Sequence, residues 1–159
     1  MANVTLVCGK ICSGKTTYAR KLCAEQKLVL LSIDEIMLAL FGLYAGERHD
    51  EWAEKTERYL LDKSAEIAGT GIGVVLDWGF WTKAKRDYAR EFFAARNIGC
   101  DVHFISISNG EWRRRVEKRN RAVLAGEVSA YLVDEGLAAK FASRFEMPDR
   151  SEISVWVDG

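Results

Sequence analysis

The short apolar run Val4-Thr5-Leu6-Val7-Cys8 ends on Gly9, and Lys10-Ile11-Cys12-Ser13-Gly14-Lys15-Thr16 follows before a helical stretch to Gln26. This is a strand, a Gly-x-x-x-x-Gly-Lys-Thr loop and a helix in succession, a combination that leaves a chain few ways to fold. Glycines let the backbone wrap an anion with its N–H groups turned inward. The helix that opens near Lys15 aims its positive end at the same place. An ammonium at Lys15 reaches the outer phosphates of a nucleoside triphosphate, and a hydroxyl at Thr16 suits Mg²⁺. A turn that matches the pattern by chance is the alternative, but the context is right on both sides. The expected ligand is therefore ATP with Mg²⁺, held by Gly9, Cys12, Ser13, Gly14, Lys15, Thr16 and Thr17.

The rest of the chain continues the alternation. Strands are predicted at 4–8, 28–33, 72–76, 102–107 and 153–157, each a mostly apolar run. Helices are predicted at 16–26, 35–41, 50–68, 83–96, 111–124 and 129–145, with a turn at 42–46. Apolar residues at helical spacing include Trp52, Tyr59, Leu60 and Ile67, then Tyr88, Phe92 and Phe93. Strands buried on both faces call for a parallel sheet covered by helices. The expected fold is α/β: a P-loop NTPase three-layer sandwich with a five-stranded parallel sheet, helices on both faces and a helical lid near 111–128. A length of 159 residues suits one domain over 1–159.

Lysines plus arginines number 23, and so do aspartates plus glutamates, which argues against a broad nucleic-acid surface but permits a local basic groove. No apolar run is long enough to span a bilayer, and Met1-Ala2-Asn3-Val4 lacks the character of a signal peptide. Neither His49 nor His103 stands at a zinc-finger spacing from Cys8, Cys12, Cys23 or Cys100, so reduced thiols and a cytoplasmic location are expected. Cys12 differs from the others because it lies inside the phosphate loop.

Two aspartates fall at strand ends, where α/β sheets place their ligands. Asp34 follows Leu31-Ser32-Ile33 and can accept a proton from an attacking hydroxyl or, more simply, cap the next helix. Glu35 is the reserve base. Asp77 follows Val74-Val75-Leu76 and can hold Mg²⁺ or orient an acceptor; it too has a plain reading as a cap. Further on, Trp112 to Arg121 carries six positive charges and one negative. Arg115 and Arg119 are four apart and share a helix face, so two guanidiniums can close over polyphosphate. A solvated basic helix or a nucleic-acid patch explains the same charges; the upstream loop favours a lid.

With these residues in place, the chain resembles the small P-loop kinases that include polynucleotide 5′-kinases, chloramphenicol phosphotransferase and zeta toxins. The resemblance runs over nearly the whole chain. It is carried by the Gly9–Thr16 loop, Ser32-Ile33-Asp34, Val75-Leu76-Asp77-Trp78-Gly79-Phe80-Trp81, Lys85-Arg86-Asp87, Arg115-Val116-Glu117-Lys118-Arg119-Asn120 and Arg144-Phe145-Glu146-Met147-Pro148. It implies that Asp34 is the general base, that Lys15 and Thr16 serve the phosphates, and that Arg119 is a lid arginine with Arg115 beside it. One departure matters. Polynucleotide kinases have an arginine three residues after the base to hold the acceptor's phosphate, and this chain has Met37.

The resemblance implies that the region between Asp34 and Gly71 shapes the acceptor pocket; here it offers Met37, Phe41, Tyr44, Trp52 and Tyr59, with His49, Asp50 and Glu51. Most of these aromatics suit the core better than a pocket. Trp78 and Trp81 are better placed to line a site. The leading expectation is transfer of the γ-phosphoryl of ATP to a hydroxyl of a small molecule. The alternatives are a 5′-hydroxyl polynucleotide kinase and a nucleotide-binding switch without an acceptor, which would not need Asp34 as a base.

Overall fold

The computed structural model describes residues 2–43, 45–128, 130 and 132–159. In chain order the elements are β1 (Asn3–Gly9), α1 (Lys15–Gln26), β2 (Val29–Ser32), α2 (Ile33–Phe41), α3 (His49–Gly69) and β3 (Val74–Gly79). Then come α4 (Lys83–Ala94), β4 (Gly99–Ser106), α5 (Asn109–Leu124), α6 (Glu135–Arg144) and β5 (Val155–Asp158). Short 3₁₀ turns occupy Gly46–Arg48 and Arg150–Glu152.

All strand pairs are parallel, in the order β2-β3-β1-β4-β5. The expected five-stranded α/β sandwich is the observed one. Side-chain alternation sorts the sheet's two faces. Val7, Val75 and Ile105 pack with Ala19 and Leu22 of α1, whereas Leu6, Leu76 and Phe104 pack with Leu61 of α3 and Phe93 of α4. After β1 the chain fills one side of the sheet with β2 and β3, then crosses to the other with β4. β1 therefore borders the reversal of strand order, where a crevice opens at the carboxyl ends. The phosphate loop leaves from that point.

Several boundaries move, for local reasons. α2 begins at Ile33, because the Ser32 hydroxyl accepts the Glu35 N–H at 3.3 Å and caps the helix. Asp34 is thus not the cap; it already sits within the first helical turn. β3 does not stop at Leu76 but runs through Asp77 to Gly79, with an irregularity that pairs Val7 with Asp77 and Cys8 with Gly79. α6 is shorter than predicted. Asp134 caps it through the Leu137 N–H at 2.7 Å, and just before it the backbone of Val133 is bonded in both directions to the Asn120 side chain. Of the residues expected near the start of that helix, Ser129 and Tyr131 lie outside the described residues, as does Tyr44. Tyr59 and Tyr88 share helix faces with core residues in the sequence pattern, yet both rings are exposed. No helix among the described residues is long and apolar enough to cross a membrane.

Candidate active site

The phosphate loop is shaped by two glycines. A Cβ on Gly9 would come within 2.8 Å of the Ser13 hydroxyl and 3.0 Å of the Ile105 carbonyl, so the strand end can approach its neighbours only without one. Gly14 has φ +96° and introduces α1 without a side-chain cap, which leaves the helix's first N–H groups open to a ligand. Cys12 takes φ 58°, an uncommon conformation for a residue with a side chain. Ser13 is 1% exposed, and its hydroxyl has no hydrogen-bond partner among the described residues.

The Lys15 ammonium donates to the Lys10 carbonyl at 2.6 Å, across the mouth of the loop. Burial pulls its pKa down, against the carboxylates of Asp77 and Asp34, which push it up. The Thr16 hydroxyl donates to Asp77 Oδ2 at 2.8 Å. Asp77 is 4% exposed, and burial raises its pKa; the Thr16 bond and the Lys15 charge work the other way. This pair offers two oxygens to a hard cation. Among the described residues no group of three or more His, Cys, Asp or Glu could hold a metal, so a cation here would take most of its ligands from phosphate and water, as Mg²⁺ prefers.

α5 lies directly on the loop rather than apart from it. Trp112 Nε1 donates to the Ile11 carbonyl at 2.8 Å, Arg115 donates to the Ser13 carbonyl at 3.0 Å, and Arg119 reaches Cys12 Sγ at 3.3 Å. These three residues are spaced three and four apart and so share one helix face. Glu111 steadies Arg115 at 2.8 Å, and that bond holds the Glu111 carboxyl below the usual carboxylate range. The Trp112 anchor carries no signal in the sequence beyond an aromatic at the head of a basic helix.

A second support was also hidden. Arg86 is 0% exposed; it pairs with Glu152 at 3.0 Å and donates to the carbonyls of Phe80 and Glu146, both at 3.0 Å. It ties the segment after β3 to the segment before β5. In the sequence Arg86 reads as one more charge on an amphipathic helix.

One cleft of about 1640 Å³ gathers the expected residues. Cys12, Gly14, Lys15, Thr16 and Thr17 line it, together with Asp34 and Asp77; Arg115 and Arg119 form its α5 side. Gly9 and Ser13 stand behind the lining and act on the loop's shape. Glu35 is not among the lining residues. Trp78 and Trp81 do line the cleft, whereas Met37 is buried against Ile33 and Leu60.

The family described as an AAA domain matches residues 4–148. No curated protein matches the chain. Among solved structures, a sugar kinase from Janibacter sp. HTCC2649 is 17% identical with a TM-score of 0.68, over 99% of this chain and 86% of the other. The APS kinase CysC of Mycobacterium tuberculosis, in complex with AMPPNP and APS, is 17% identical with a TM-score of 0.67, over 99% and 88%. Kti12 of Chaetomium thermophilum, in complex with ADP-AlF3, is 18% identical with a TM-score of 0.73, over 98% and 88%.

Proposed function

The chain belongs to the AAA domain family, and from that premise we propose that it is an ATP-dependent phosphotransferase that moves the γ-phosphoryl of ATP to a hydroxyl of a small molecule. The observation that carries this reading is the position of Asp34. Its carboxylate lines the same cleft as Lys15 and the Thr16–Asp77 pair, and its charge is felt at both Lys15 and Asp77. A module that only binds nucleotide has no use for an exposed carboxylate there.

Lys15 leaves the Lys10 carbonyl to meet the β- and γ-phosphates and offsets charge that moves during transfer. Thr16 and Asp77 would hold Mg²⁺, which would neutralise phosphate charge. The acceptor hydroxyl oxygen attacks the γ-phosphorus and gives its proton to Asp34. The bond to the bridging oxygen breaks, and ADP leaves. Arg119 and Arg115, swung in from α5, stabilise charge on the transferred group. Residues 1–159 act as a single kinase domain, and the four cysteines, all free, suit the cytoplasm.

A small acceptor is supported by the sugar kinase and the APS kinase, both of which share the fold. A 5′-hydroxyl polynucleotide is disfavoured because Met37 is 5% exposed and brings no cation to the acceptor side. The test is incubation with γ-labelled ATP, Mg²⁺, a pool of small hydroxylated compounds and a 5′-hydroxyl oligonucleotide. Label in a small compound supports the proposal; label only in the oligonucleotide overturns it.

A further inference from the structure

The cleft is divided by charge. Its α5 wall presents Arg114, Arg115, Lys118, Arg119 and Arg121 against Glu111, which suits a triphosphate. The opposite part is acidic. α2 contributes Asp34, and α3 contributes Asp50, Glu54 and Glu57, spaced four and three apart on one face. Glu57 is neutralised by Lys85 at 2.6 Å. Asp34, Asp50 and Glu54 make no ion pair among the described residues. The neighbouring acid that points elsewhere differs: Glu51 is held by both Arg48 and Lys55 at 2.7 Å. Of the α3 carboxylates that line the cleft, Glu57 has a paired cation, and Asp50 and Glu54 have none among the described residues.

Two independent features point the same way. Trp78 packs with Ile33 and Met37 on this side and, like Trp81, lines the cleft; indole rings attract cations through their electron-rich faces. Position 37, on the helix that carries Asp34, holds a buried methionine rather than an anion-binding side chain. The cations on this side are Lys85, already paired, and Arg144, against Asp34, Asp50, Glu54, Glu57 and Glu146.

We propose that the phosphate acceptor is a hydroxylated amine, an amino sugar or amino alcohol whose protonated nitrogen is held by Asp50 and Glu54 while its hydroxyl faces Asp34. The inference rests on the phosphotransferase reading above. The chemistry is unchanged: the acceptor oxygen bonds to the γ-phosphorus, the bond to the β–γ bridging oxygen breaks, the hydroxyl proton goes to Asp34, and ADP departs. The ammonium takes no part in the transfer. It orients the molecule and balances carboxylates that would otherwise repel the approaching triphosphate. A hydroxy acid or phosphorylated acceptor would meet those carboxylates with like charge and is disfavoured.

The experiment offers the purified protein γ-labelled ATP, Mg²⁺ and three size-matched pools: hydroxylated amines, neutral polyols and hydroxy acids. Label is expected in the amine pool at a rate at least about tenfold above the other two. Label at an equal or greater rate in the neutral or acid pool overturns this inference and leaves the kinase reading standing. No label in any pool, with ATP binding intact by titration, overturns both. A second arm uses the Asp50→Asn/Glu54→Gln double variant with the labelled amine. Its KM should rise about tenfold with little change in kcat, and the salt dependence of KM should flatten. A KM and salt dependence equal to wild type would also overturn the assignment.

Discussion

Removal of the Glu152 carboxylate tests how the floor of the cleft is held. Arg86 is fully buried, and Glu152 is its only carboxylate within 3.5 Å among the described residues; Arg90 approaches the same carboxylate at 4.0 Å from a more exposed position. Glu152→Ala leaves the guanidinium with the Phe80 and Glu146 carbonyls alone. Breaking a buried pair from one side costs about 3–5 kcal/mol. At roughly 2–4 °C per kcal/mol for a chain of this size, Tm should fall by about 6–20 °C. The loop beside it includes Phe80 at φ 46°, a strained conformation that the Arg86 bonds help to hold. Burial works to raise the Glu152 carboxyl, but the Arg86 bonds, the Asp149 N–H and the nearby positive charges together hold it below its ordinary 4.5. The pair's contribution is therefore fully present above that value and is lost as pH falls through the depressed one. Thermal unfolding of wild type and Glu152→Ala from neutral pH down to below 4.5 should show a large gap that narrows towards acid. A Tm unchanged at neutral pH, or a gap that widens on acidification, would refute the reasoning.

Lys15→Ala should abolish transfer and weaken triphosphate binding, since the loop's other lysine, Lys10, is turned to the Asn109 side chain; unchanged affinity by titration would contradict the assignment of the loop. Arg119→Ala should lower kcat by a factor on the order of 10² while KM for ATP moves much less, because the arginine acts on charge that develops during transfer. Steady-state kinetics that leave both parameters unchanged would make α5 a passive wall. Thiol labelling at neutral pH should find Cys12 first. Burial pushes Cys8 up to about 11 and Cys100 up to about 12, whereas Cys12 lines the cleft, so ATP should protect it. Mass spectrometry that shows Cys8 or Cys100 labelled as fast would contradict this.

The phosphate loop was legible because its chemistry is local: glycines where backbone must come close or turn left-handed, then Lys15 and Thr16 at the head of a helix. The parallel sheet was legible because strands buried on both faces are continuous apolar runs. Boundaries were less so where two residues compete for one task. Ser32 and Asp34 can both cap α2, and only the backbone decides that the hydroxyl wins. Asp77 looked like a strand end because Trp78-Gly79 resembles a turn, yet the pairing with β1 carries the strand two residues further. The contacts that position the site were not legible at all. Trp112 on the Ile11 carbonyl, Asn120 on Val133 and Arg86 on Glu152 join residues 101, 13 and 66 positions apart. Nothing in one residue's neighbourhood announces such a partner.

Transfer by the Asp34→Asn variant tests the central claim most directly. Ser32 caps α2, so the substitution spares the cap; it removes one negative charge from the first turn, worth about 0.3–1 kcal/mol at an exposed site. Asn keeps the shape but cannot take the proton. With the acceptor found by the labelling experiment, transfer from γ-labelled ATP should fall by about 10² or more, while ATP affinity by calorimetry and Tm stay close to wild type. Transfer at the wild-type rate would contradict the account and send the search for a base to Asp77.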